Sequence, residues 1–196
     1  MIPNAKWIRP AQTTGDVCPV YSKQFSFFSS PNQSLSSVAH ATLSVTAMGV
    51  YEASLNGKRI GDFVLAPGWT SYRHRLQVQT YDVTELLSSE NELSILVGKG
   101  WYRSPLAWPD EAHRQQKAQI PAGLIALLTI TYTDGSTQLL PTGADWSAYE
   151  SNVRFSEIYD GETYDAAFDP SSAPIAIAEF DGPSDTLIAQ QGEKIT

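Results

Sequence analysis

Short runs of alternating apolar and polar residues dominate the chain. Ala41, Leu43, Val45 and Ala47 are interleaved with Thr42, Ser44 and Thr46, the period-two pattern of a strand with one dry and one wet face. Tyr51, Ala53 and Leu55 share a face in the next run, and Asn56-Gly57 follows at once. Both of those residues tolerate positive φ, as a type I′ hairpin turn requires. Leu76, Val78 and Thr80 alternate again and lead into Asp82-Val83-Thr84-Glu85, where Asp or Thr is placed to cap one short helical turn through Leu87. Leu93, Ile95 and Val97 resume the strand pattern. The longest apolar run, 124–130, predicts a buried strand continuing to Tyr132, and Asp134-Gly135 turns the chain into a partner over 136–140. Shorter strands are predicted at 146–149 and 155–159.

No segment carries apolar residues at helical spacing for more than one or two turns, and Gly and Pro punctuate the chain throughout. The predicted fold class is therefore all-β, a jelly-roll-like antiparallel β-sandwich. Two regions stand outside it. Residues 103–121 form a long, polar, proline-bounded loop, of a length that in a compact domain usually carries function or moves. After Phe168 the stretch DPSSAP resembles a linker, and Ile175-Ala176-Ile177-Ala178 begins a fresh strand. These signals divide the chain into a sandwich domain over 1–168 and, over 169–196, a linker with the first strand of a following, truncated domain.

Composition narrows the functional classes. With 196 residues, 42% of them hydrophobic and 17% charged, the chain can build one substantial core. A net charge of −8 excludes a phosphate-backbone partner, so no nucleic acid is expected. No uninterrupted apolar run reaches the about 18 residues of a membrane helix, and no membrane association is expected. MIPNAKWIRP lacks the apolar core of a signal peptide, which makes the expected location cytoplasmic. Cys18 is the single cysteine, so no intramolecular disulfide is available. His40, His74 and His113 lack the short spacing of zinc ligands.

Five motifs follow in fixed order: GVYEASLNGKRIGD from Gly49, PGWTSY from Pro67, TYDVT from Thr80, GKGWY from Gly98 and GETYDA from Gly161. In these the chain resembles the N-terminal domain of bacterial α-L-rhamnosidases, over about residues 6–168. The resemblance is carried by Gly49, Tyr51, Glu52, Asn56, Gly57 and Gly61, then by Pro67, Gly68, Trp69, Thr70 and Tyr72. It continues through Tyr81, Asp82, Val83 and Thr84, then Gly98, Gly100, Trp101 and Tyr102, and ends at Gly161, Glu162, Tyr164, Asp165 and Ala166. Two positions depart from the family pattern: Ala167 stands where the family commonly has Arg, and Ser104 stands in place of a Gly.

The resemblance implies a non-catalytic jelly-roll domain of an inverting glycoside hydrolase. Its partners would be an L-rhamnose-containing carbohydrate and the catalytic (α/α)-barrel of the same chain. Inverting hydrolysis needs two carboxyl groups about 6.5–9.5 Å apart, and the family's catalytic pair lies in that barrel. No catalytic residue is therefore expected in this chain, and the chain alone is not expected to cleave rhamnosides. A purely structural domain packing on the barrel is the alternative.

Trp69, Tyr72, Trp101, Tyr102 and Trp108 are the aromatic candidates for stacking on a sugar ring. Trp69 and Trp101 follow glycines and are expected as half-buried anchors at loop bases. Trp108, inside the polar loop, is the tryptophan expected to be exposed. Asp160, Glu162 and Asp165 cluster hard oxygens of the kind calcium prefers, against a plain reading as turn residues. No cofactor is required, and calcium is the candidate ion, since related rhamnosidase sandwiches bind L-rhamnose through one. Asn56-Gly57 is explained by turn geometry, and Gly98-Lys99-Gly100 lacks the spacing of a phosphate loop.

Overall fold

The computed structural model describes residues 2–27, 34–106, 110–169, 174–193 and 195–196. Its strands are Trp7–Pro10 (β1), Pro19–Ser26 (β2), Val38–Ala47 (β3), Val50–Leu55 (β4), Lys58–Arg59 (β5), Leu76–Asp82 (β6) and Glu90–Gly98 (β7). They continue with Leu124–Tyr132 (β8), Thr137–Pro141 (β9), Ser147–Glu150 (β10), Val153–Glu157 (β11), Gly161–Tyr164 (β12), Ile177–Phe180 (β13) and Leu187–Ala189 (β14). A seven-stranded sheet runs β13-β1-β8-β3-β6-β14, with β9 also on β8, and a five-stranded sheet runs β10-β2-β7-β4-β5. β11 and β12 form a separate ribbon. The fold is an all-β sandwich.

The alternation explains the two layers. Ala41, Leu43, Val45 and Ala47 of β3 join Leu124, Ala126, Leu128 and Ile130 of β8 on the inner face of the large sheet. Opposite them lie Tyr51, Ala53 and Leu55 of β4 with Leu93, Ile95 and Val97 of β7. Each fully buried leucine or isoleucine here contributes about 2 kcal/mol relative to exposure. β8 is apolar on both faces because Ile125 and Leu127 belong to a second cluster, with Trp7, Met48, Leu76 and Val78. The Asn56-Gly57 turn has φ of 55° and 73°, both positive as the hairpin requires.

The stretch 103–121, expected as a loop, contains a helix. Gly100–Arg103 (α1) leads into it, and Glu111–Ala118 (α2) occupies its second half. α2 has no apolar stripe to reveal it. Its signal is local: the Asp110 carboxylate accepts the Ala112 N–H at 3.0 Å, an N-cap ahead of a run of good helix formers.

Residues 174–193, assigned by sequence to a linker and a following domain, supply β13 and β14. Both add to the large sheet: β13 pairs antiparallel with β1, and β14 pairs parallel with β6. Ile175 and Ile177 pack against the main core. The sheet thus runs across the boundary drawn at Phe168, because the bare backbone edges of β1 and β6 accept these segments as partners.

Cys18 is buried at 2% exposure, and burial pushes its thiol up to about 11. The unfolded thiol titrates lower, so the folded state holds this proton more tightly. Its contribution is intact below the unfolded pKa and is lost as pH rises through about 9 to 11. A thiol reagent at pH 8 is expected to leave Cys18 unmodified until denaturant is added, as followed by thiol release absorbance.

Candidate functional site

The glycines of the first and fourth motifs bring two backbones together. A Cβ on Gly49 would lie 2.1 Å from the Gly98 carbonyl oxygen, and one on Gly100 would lie 2.8 Å from the Val50 nitrogen. Only glycine permits that approach, made where β7 ends and α1 departs. α1 then presents Trp101 and Tyr102 beside the loop after β5. In that loop Gly68 takes φ of 87°, and the chain turns Trp69 outward.

The result is an aromatic platform. The rings of Trp69 and Trp101 stack with centroids 5.8 Å apart and planes 7° apart. Tyr72 and Tyr102 meet at 4.6 Å and 37°, and both pack against the second core cluster. Burial raises both phenols above the ordinary tyrosine range, which keeps them neutral. The Tyr72 hydroxyl donates to the Gly68 carbonyl at 3.0 Å and ties the loop to itself. The tyrosines lock the platform; the tryptophans face outward. Trp69 is 61% exposed and not the half-buried anchor expected of it, while Trp101 is half-buried. The departure has a local cause: Gly68 turns the chain at φ 87° just before Trp69, whose ring then stacks on the Trp101 indole. Trp108 lies outside the described residues.

Sequence reasoning missed what holds this loop from beneath. Gln77 and Gln79 of β6 are buried, and their amides donate to the Pro67 carbonyl at 3.2 and 3.3 Å. Tyr51 donates its hydroxyl to the Gln79 side-chain Oε1 at 2.8 Å. Gln79 also donates to Gln190, and the Gln191 N–H donates to Gln77 at 2.9 Å. The alternation of β6 assigns these glutamines to a wet face; in the folded chain that face is roofed by the Pro67 loop and the segment after β14.

Asp160, Glu162 and Asp165 are all exposed and serve separate places. Asp160 borders a cavity beside Arg103, and Glu162 borders a different recess with Glu52 and Arg59. Asp165 accepts the Ala167 N–H at 2.9 Å, closing a turn. Among the described residues no group of three or more His, Cys, Asp or Glu side chains is placed to hold a metal ion. Ser104, at its departing position, is buried and donates its hydroxyl to Glu157. Asp82 accepts the N–H and hydroxyl of Thr84 at 2.9 and 2.6 Å, and those bonds hold its carboxyl below the usual range.

Comparison with known proteins adds the family. The model of the alpha-L-rhamnosidase N-terminal domain matches residues 36–195. An alpha-L-rhamnosidase of Streptomyces avermitilis is 42% identical over 130 residues, 66% of this chain and 12% of that protein. The native alpha-L-rhamnosidase of Aspergillus terreus superposes with a TM-score of 0.82 at 31% identity, covering 95% of this chain and 22% of that one. The S. avermitilis enzyme solved with L-rhamnose superposes at 0.72 with 33% identity, covering 89% and 17%. The chain thus spans a small part of the length of each relative it matches. With a family match that takes in the aromatic platform and the closing strands alike, this chain belongs to the alpha-L-rhamnosidase N-terminal domain family.

Proposed function

We propose that the domain recognises carbohydrate through the Trp69–Trp101 pair, and that it serves a parent α-L-rhamnosidase by holding an L-rhamnose-containing substrate near the catalytic (α/α)-barrel. The observation that carries this reading is the solvent-facing indole of Trp69, 61% exposed and stacked on Trp101. A flat π-surface suits the apolar C–H face of a pyranose. The same loop exposes Arg73, His74 and Arg75 as hydrogen-bonding groups for ring hydroxyls. Calorimetric titration with L-rhamnose, with and without calcium, tests it. Saturable heat supports the reading, and calcium-dependent heat would add an ion to it.

A second reading, packing against the catalytic module, is favoured by one observation. Val64, Leu65 and Ile195 expose 38%, 38% and 55% of their surface, and the Val64 N–H donates to the Ile195 carbonyl at 2.7 Å. No heat at millimolar sugar would leave this as the domain's role.

A further inference from the structure

The chain is acidic, with a net charge of −8, yet one cavity gathers four of its 13 lysines and arginines: Lys99, Arg103, Arg114 and Lys117. The space measures about 390 Å³, within the range of small-molecule sites. It opens between α1, α2, β11 and the loop before β2.

Two of the three carboxylates on its wall are already engaged. Asp16 accepts from Lys99 at 2.6 Å. Glu157 accepts the Ser104 hydroxyl and the N–H groups of Tyr159 and Asp160. Of the cations, Lys117 donates to the Tyr102 carbonyl at 3.0 Å and Arg103 Nε to the Ile120 carbonyl at 3.2 Å. Among the described residues neither Arg103 nor Arg114 has a carboxylate within ion-pair distance. Arg103 is half-buried; desolvation holds its guanidinium below the usual arginine range, with Asp16 offsetting only part of that pull, and a partly desolvated cation without a direct ion pair carries a cost. An anion entering the cavity would relieve that cost and meet two guanidinium forks.

We propose that this cavity binds a carboxylate-bearing sugar, a hexuronate unit of an acidic glycan, with Arg103 and Arg114 holding the carboxylate. Asp160, on the same wall, accepts from ring hydroxyls and disfavours a doubly charged phosphate. That the anion is a sugar rests on the carbohydrate reading above; that the ligand is an anion does not.

Calorimetry on the full chain with D-glucuronate, D-glucose, inorganic phosphate and L-rhamnose tests the assignment. D-glucuronate is expected to bind saturably, with D-glucose and phosphate at least tenfold weaker. Arg114→Gln changes an exposed residue of α2. It is expected to keep the Tm and lower D-glucuronate affinity at least tenfold, with L-rhamnose binding unchanged. Arg103→Gln is expected to weaken D-glucuronate in the same direction. Absent D-glucuronate binding, binding indifferent to both substitutions, or phosphate binding equal to D-glucuronate would each overturn the proposal. L-rhamnose binding without D-glucuronate binding removes this site and keeps the aromatic platform. D-glucuronate binding without L-rhamnose binding does the reverse.

Discussion

Replacing Gly49 with alanine is expected to lower the thermal midpoint by about 10 °C. The new methyl group would sit 2.1 Å from the Gly98 carbonyl oxygen and 3.3 Å from that of Lys99. Both obstacles are backbone and cannot rotate aside. Gly49 also has φ of 157°, where L side chains are rarely found. Forced shifts and strain of this kind cost about 3 kcal/mol, and in a domain of this size each kcal/mol moves the midpoint by about 2–4 °C. Gly57→Ala is the control: it meets nothing within 4 Å and adds only a φ of 73°, a cost of about 1 kcal/mol. Differential scanning calorimetry on both variants separates close approach from turn strain. Equal losses would mean that the contact between the Gly49 turn and the end of β7 is looser than described.

Trp69→Ala is expected to weaken L-rhamnose binding at least tenfold, about 1.4 kcal/mol, while moving the thermal midpoint by less than about 2 °C. The two effects separate because Trp69 is 61% exposed and its ring partner is the indole of Trp101. Removing it uncovers little core but takes away the solvent-facing indole. Trp101→Ala is expected to weaken binding as well, and the double variant to lose less than the sum, since the two rings act as a unit. Titration calorimetry and a melting curve on each variant read both quantities. Unchanged L-rhamnose affinity in Trp69→Ala would remove the platform from recognition and leave the packing role standing.

The central layers were legible from sequence because β3, β4 and β7 each bury one clean face, so Leu43, Ala53 and Ile95 announce themselves by period two. β2 was not. Lys23 shares the strand face of Tyr21 and Phe25, and its half-buried stem reaches out to Asp145 at 2.6 Å; a charge on the inner face hides the alternation. Gln77 and Gln79 were hidden differently, since their partners Pro67, Gln190 and Gln191 are distant in the chain. The motif glycines were visible as motifs, but the reason for Gly49 and Gly100 lies in a tertiary crossing. Trp69 stands out in the sequence as an aromatic candidate for sugar stacking. Its exposure depends on the Gly68 turn and on Trp101, neither of which local pattern weighs.

The placement of β13 and β14 bears on how this domain comes together. β1 and β6 bound the sheet that they and β8 and β3 build, and both find their outer neighbours only in the last part of the chain. A polypeptide emerging from the ribosome therefore carries raw hydrogen-bonding borders until those late segments arrive, and the tie from Gln190 to Gln79 forms later still. Such distant pairings are slow to close, and unpaired borders invite association with other chains. The sandwich is stitched shut by β13 and β14, and the Gln79 amide beneath the loop that bears Trp69 gains its partner Gln190 only with them.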